Sequence, residues 1–434
     1  MQAIWNRKTM AAILGFLALL ASPTLALAQS TSVSSANTAW IMTASALVLF
    51  MTLPGLALFY GGLVRQKNLL SVMMGCVAIT CVASVLWLAL GYSLAFAPGS
   101  AWLGDLSKAF LGQDPRHAVI GSLPEPVFFL FQMTFAAITP ALIIGAIVER
   151  TKFSAILIFS ALWLLLVYAP ITHWIWGGGW LAKLGVMDYA GGLVVHATAG
   201  ISALLFAKAV GPRDGFPKET TPPHSPGLTM IGTGMLWVGW FGFNGGSALA
   251  ANADAGMAIA ATHLSACMAG IVWAGLEWLK FGRPSLVGAV TGVVAGLATV
   301  TPASGFISPA SAILMGICGS LVCFVAVNLV KQNLKIDDSL DVFAVHGVGG
   351  ILGILMLSAL ASPNLGGAGF SVAKSIGEQL GLQALGIVVT LLWSGALSLI
   401  ILAITRALVG LRASDYDIED GLDLASHGER ASQT

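Results

Sequence analysis

The sequence predicts an all-α polytopic membrane protein with 11 transmembrane helices, and three observations carry that reading. Hydrophobic residues make up 57% of the 434-residue chain and charged residues only 9%, whereas an ordinary soluble domain carries about a quarter charged residues. Apolar runs recur at the length that crosses a bilayer, about 20 residues, and mean hydropathy is +0.88. Fifty-one glycines are spread through the chain, and small residues let helix backbones approach where lipid supplies no hydrophobic drive between helices. The composition excludes a soluble enzyme. A net charge of +1 leaves no basic surface for nucleic acid.

Taken in order, the chain begins with a segment of its own. Arg7 and Lys8 precede an apolar stretch at 10–20, and Ala26-Leu27-Ala28 follows, with small residues where a signal peptidase reads. Residues 1–28 are expected to be a cleaved signal peptide, the alternative being an uncleaved first span. The membrane domain, 29–409, holds spans expected at 40–60, 69–96, 128–148, 155–171, 193–209, 228–249, 255–278, 286–300, 310–329, 342–359 and 385–409. Residues 410–434 form a tail. The five cysteines lie in apolar runs without a CxxC pair, so neither a disulfide framework nor a zinc site is expected.

Orientation follows from lysine and arginine, which resist translocation. With the mature start outside, fourteen basic residues from Arg65 to Arg430 fall on the cytoplasmic side. Only Lys108, Arg116, Lys183 and Lys374 fall outside. That asymmetry supports 11 spans, a start outside and a tail inside.

The chain also resembles itself. Phe59-Tyr60-Gly61-Gly62 at the end of the first span matches Phe243-Asn244-Gly245-Gly246 at the end of the sixth. Val195-His196-Ala197 in the fifth matches Val345-His346-Gly347 in the tenth. An offset of five spans reverses topology, so the halves, about 37–210 and 228–360, are expected to be two inverted five-helix repeats, with the eleventh helix at about 385–409. In such transporters the pathway lies at the repeat interface.

Placing a charge at the bilayer centre costs at least about 2.5 kcal/mol, and the spans hold almost none. The deep ionisable groups are His196, His263 and His346. His196 and His346 occupy equivalent places in the repeats and should meet face to face. Such a pair can exchange hydrogen bonds and protons, because neutral imidazole donates at one nitrogen and accepts at the other. The alternative is two unrelated core histidines bonded to backbone carbonyls. His263 has no repeat counterpart and reads as a satisfied packing residue. Asp188, ahead of Gly191-Gly192, is placed to cap the fifth span and to stabilise an approaching cation. Phe131, Phe135, Trp174, Trp176, Phe241 and Phe243 cluster near outer span ends. An interfacial belt is the ordinary explanation, kept for Trp174; aromatic faces also attract ammonium-type cations. No nucleophile, base and orienting group recur together, so enzyme activity is not expected.

With these residues assembled, the chain resembles the ammonium transporters of the ammonium transporter, methylammonium permease and Rhesus family. The likeness runs from about 37 to about 429 and rests on long motifs, Pro54-Gly55-Leu56-Ala57-Leu58-Phe59-Tyr60-Gly61-Gly62, Asp188-Tyr189-Ala190-Gly191-Gly192-Leu193-Val194-Val195-His196, Trp240-Phe241-Gly242-Phe243-Asn244-Gly245-Gly246-Ser247 and Asp341-Val342-Phe343-Ala344-Val345-His346-Gly347. The resemblance implies a homotrimer with one pore per protomer and no cofactor. It implies Phe135, Trp176 and Ser247 as an outer ammonium-binding site, Phe135 and Phe243 as a gate, and His196 and His346 as the pore pair, with Asp188 as the buried aspartate beneath the site. The tail Gly421-Leu422-Asp423-Leu424-Ala425-Ser426-His427-Gly428-Glu429 implies a PII-type signalling protein as a cytoplasmic partner. A bacterial cytoplasmic membrane is the expected location, with methylammonium as a substrate analogue. The chain departs from the family at Gln132-Met133-Thr134, bulkier than the small pair often found before this phenylalanine. An ammonium sensor signalling through a PII protein, with incidental transport, is the competing expectation.

Overall fold

Most spans start where a side chain satisfies free N–H groups of the helix end. In the computed structural model, which describes residues 32–218 and 222–432, helical segments occupy all the expected span positions. They are α1 (Ser35–Leu63), α2 (Gln66–Phe96), α3 (Glu125–Ile147), α4 (Phe153–Leu184, broken at 176–179), α5 (Gly192–Val210), α6 (Pro226–Gly246), α7 (Ala253–Phe281), α8 (Leu286–Val300), α9 (Pro309–Asn333), α10 (Phe343–Leu360) and α11 (Ile376–Val409). Among the described residues, nine are long and apolar enough to cross a membrane, and α8 is a shorter apolar helix of 15 residues. The expected signal peptide lies outside the described residues.

Serine side chains accept from the first turns of α1, α6, α8, α9 and α11, and Pro226 and Pro309 occupy first-turn positions where no N–H is missed. These caps also lengthen helices past their apolar stretch. Helix α11 begins at Ile376 rather than 385, because Ser375 accepts the N–H of Glu378 at 3.1 Å. Hydropathy reads bilayer thickness, while the hydrogen-bonded helix runs on into the interface.

Two crossings bring the repeats together. Helices α1 and α6 meet at Gly232, where an added Cβ would overlap the Phe59 backbone. Helices α5 and α10 meet at Gly200, where it would overlap the backbone of Gly347. Only glycine allows that approach.

At the end of the molecule expected to face inward, buried charged side chains tie the chain together. Arg150, fully buried, donates to the carbonyls of Gly211, Val148, Ala146 and Asp337 and to Ser339 Oγ, at 2.7 to 3.1 Å. Arg213 grips Asp337 through Nε at 2.9 Å and Nη2 at 3.0 Å. The tail packs onto the same region through two short helices, α12 (Asp415–Asp420) and α13 (Leu422–His427). Asp423 accepts the N–H groups of Leu70 at 3.0 Å and Ser71 at 2.7 Å in α2.

Two expectations need correction. Trp174 is 3% exposed, boxed in by Trp102, Trp180 and Trp393, with its indole N–H bonded to the Trp102 carbonyl at 2.7 Å. It is a buried aromatic residue and not an interfacial belt residue, because the outer loop carrying Trp102 folds over it. His263 lies on the outer surface of α7 against Trp237 and Phe241, not in the core. Its Nε2 reaches Cys267 Sγ at 3.6 Å, one turn along.

Candidate functional site

Two aspartates hold the starts of α5 and α10. Asp188 precedes α5, and its Oδ1 accepts from Gly191 at 2.8 Å and Gly192 at 2.7 Å, while Oδ2 accepts from Leu193 at 2.8 Å and Val194 at 3.1 Å. Four helix-start donors are thus met by one carboxylate, and the turn that allows it needs Gly191 at φ +121°. The Asp188 carbonyl accepts the Trp176 indole N–H at 2.8 Å, which fixes that ring. Asp338 repeats the device ahead of α10, accepting from Val342 at 2.9 Å and Phe343 at 2.7 Å. Each aspartate stands eight residues before its histidine.

At the end of the molecule expected to face outward, Phe135 of α3 meets Trp176 edge-on at 5.7 Å between centroids and 88°. It lies nearly parallel to Phe243 of α6, at 4.2 Å and 30°. Phe131 supports it from behind at 5.0 Å. Ser247 donates to the Phe243 carbonyl at 2.9 Å, so its lone pairs are left to accept. Phe135, Trp176 and Ser247 line one cavity of about 240 Å³. Phe241 is not part of it and packs on His263. Phe135 and Phe243 are each 1% exposed and close the cavity floor.

Beyond the rings the wall is apolar, with Leu142, Trp240 and Val294 around His196 and His346, and about 10 Å³ of free space, room for about one water. The histidines sit on π-helical turns, Gly192–Ala197 and Phe343–Gly347, widened turns that recur at functional sites. Their Nδ1 atoms are 3.2 Å apart and their rings lie 20° from parallel. Neither ring bonds to a backbone carbonyl among the described contacts. His196 also stacks on Trp240 at 5.6 Å, whose indole is fixed by Thr301 Oγ1 at 2.8 Å.

His346 also lines an inner cavity of about 280 Å³ that ends in Arg65, Glu149, Arg213, Lys331 and Asp341. These charges are paired: Arg65 with Glu149 at 3.2 Å, Arg213 with Glu149 at 3.4 Å, and Lys331 with Asp341 at 2.7 Å. Burial pushes the Asp337 carboxyl up, but the Arg213 hydrogen bonds and the charges of Arg150 and Arg213 outweigh it and hold it below its ordinary value. Glu149 is likewise held low against burial, by the N–H of Arg65 and the charges of Arg65 and Arg213. Among the described residues no group of three His, Cys, Asp or Glu is placed to hold a metal.

Of the residues singled out in the sequence, the structure groups Phe135, Trp176 and Ser247 around one cavity and Phe243, His196 and His346 around the next, with Asp188 bonded to Trp176 and with Trp174 and Phe241 elsewhere. Sequence reasoning missed Asp338, although the shared eight-residue offset was there to be read from the repeat. It also missed Trp240 as a platform and the inner ion network, whose arginines had served only to orient the spans.

A family model described as the Ammonium Transporter Family matches residues 39–432. The ammonium transporter of Aquifex aeolicus is 41% identical over 431 residues, covering 96% of this chain and 99% of its own length. Ammonium transporter Amt1 of Archaeoglobus fulgidus is 43% identical, covering 92% and 99%. The crystal structure of Saccharomyces cerevisiae Mep2 superposes with a TM-score of 0.81 at 36% identity, over 89% of this chain and 90% of that one. A structure described as Sensor Amt Protein superposes at 0.84 with 31% identity, over 90% and 98%. On its sequence and its membrane helices, the chain belongs to the ammonium transporter family, and it is a multi-pass membrane transporter for ammonium rather than an enzyme.

Proposed function

We propose that ammonium is captured between Trp176, Phe135 and Ser247, gives up its proton on passing the Phe135–Phe243 rings, and crosses as ammonia beside His196 and His346. Removal of water disfavours the charged form, and an aromatic site holds the cation with only about 0.5 to 2 kcal/mol per ring, so release is not prevented. Potassium shares the cation–π attraction but has no proton to shed, and it meets the full cost of an unhydrated charge. The proton passes separately through the histidine pair, which makes transport electrogenic. The single observation carrying this reading is the 3.2 Å contact between the two Nδ1 atoms inside a passage otherwise lined by apolar and aromatic side chains.

The protein acts as a homotrimer in the bacterial cytoplasmic membrane, with its mature start outside and its tail inside, where a PII-type protein binds. The likeness to the chain described as Sensor Amt Protein favours a second reading, in which ammonium sensing is the output and transport incidental. The discriminating experiment records ammonium-evoked current from proteoliposomes on a solid support, with potassium as control. An ammonium-specific current that His196→Ala abolishes is expected. Wild-type current in that variant overturns the relay. Absence of current with intact methylammonium uptake overturns charge transfer, and absence of both favours the sensor.

A further inference from the structure

The outer cavity holds a polar side chain that the mechanism above does not use. Gln132 is 7% exposed, and its amide makes no hydrogen bond within the described residues; its Oε1 is buried without a partner. It lies on α3 three residues before Phe135, on the same helix face and about 4.5 Å further out. It lines the same cavity of about 240 Å³ as Phe135, Trp176 and Ser247. Buried amides are nearly always bonded, because an unmet one loses its hydration with nothing in return. A partnerless amide at the entrance of a pore for a hydrogen-bond donor therefore points to the cargo as its partner.

Ammonium carries four N–H bonds in a tetrahedron. On the capture reading, the rings of Trp176 and Phe135 receive two of them and Ser247 Oγ a third. We infer that the Gln132 amide oxygen accepts the fourth N–H, which makes Gln132 a further substrate-binding and specificity-determining residue of the outer site; this rests on the capture reading above. A neutral acceptor at this point replaces one lost water without the deep trap that a carboxylate would set. It also distinguishes cargoes. Methylammonium has only three N–H bonds, which the other groups can receive, and potassium has no directional bond to make.

The test is the initial rate of ammonium and of methylammonium uptake into proteoliposomes holding the full chain. Gln132→Met, near in shape but without an acceptor, and Gln132→Leu should each raise the half-saturating ammonium concentration at least about tenfold. The maximal rate should stay within about twofold, because the gate and histidines are untouched. The preference for ammonium over methylammonium should narrow. Gln132→Glu, which keeps an acceptor, should hold or lower the half-saturating concentration. Met and Leu variants that match wild type in half-saturation and in preference would overturn the inference while leaving the transport reading intact. So would a Glu variant as impaired as the other two. Wild-type protein without ammonium uptake would overturn the capture reading itself, and this inference with it.

Discussion

At the outer mouth Trp176, Phe135, Tyr189 and Ser247 surround a cavity with no ionised side chain in its lining, whereas the inner mouth ends in Arg65, Glu149, Arg213, Lys331 and Asp341. Both lead to the same histidine pair, and both descend from the same repeated segment: Phe243 closes one side and its counterpart Phe59 lines the other. The difference lies in what the charges do. Rings and a hydroxyl bind a cation weakly and selectively, which suits capture. The inner charges are spent on one another, so they hold loops and helix ends in place without offering a strong site to a passing ion.

This contrast can be tested by substitution at each end. The largest expected effect is at Asp188, where Asp188→Ala strands four N–H groups in a buried turn. It should cost more than about 3 kcal/mol, seen as a fall in thermal unfolding temperature in detergent together with loss of uptake. The inner counterpart Asp338→Ala strands two and should cost about half as much. Next comes Arg213→Ala, which leaves Asp337 and Glu149 poorly paired. Arg213 keeps 22% side-chain exposure, so the loss should be about 2 kcal/mol rather than that of a sealed pair. Half-saturation for ammonium should stay unchanged, and a shift in it would break the division between a capturing and a fastening mouth. The smallest effect is on pH. Asp337 and Glu149 have folded pKa values below their ordinary ones, so their stabilisation is complete above about pH 4 and is lost as pH falls through the lower folded values. Acid unfolding of wild type should therefore be steeper than that of Arg213→Ala.

Much of the fold was legible in the sequence because a membrane helix announces itself by length and apolarity. The structure places each span within a few residues of the expected bounds, apart from ends such as Ile376 and Leu184 where a polar cap or an interfacial turn extends the helix. The histidine pair was legible through the repeat, since equivalent positions that lie near the axis relating two halves come close to one another. What escaped was partner choice. Gln132 read as bulk, because nothing in a one-dimensional pattern says that its amide lacks a bond. Arg150 and Arg213 read as topology markers, because the carbonyls and carboxylates that receive them come from Ala146 to Asp337, nearly 200 residues of chain. Asp338 was hidden by Asp341, nearer the helix and a more obvious cap, yet the chain turns at Asp341 with φ +62° and leaves the capping to Asp338.

Two neutral imidazoles that touch Nδ1 to Nδ1 must differ, since one has to supply the hydrogen and the other the lone pair. The ring that donates between them has a bare Nε2 on its far side, and its neighbour carries its hydrogen there. His196 and His346 are therefore never equivalent at any instant, however closely the backbone around them obeys its twofold symmetry. The pair has a direction that points either outward or inward. A hydrogen arriving at the bare end and another leaving from the far end reverse that direction, and the rings must then exchange roles again before the same traffic can repeat. On the proposed relay, a pathway built on such a pair counts in single strokes with a reset between them, and the rate of that reset would bound proton turnover.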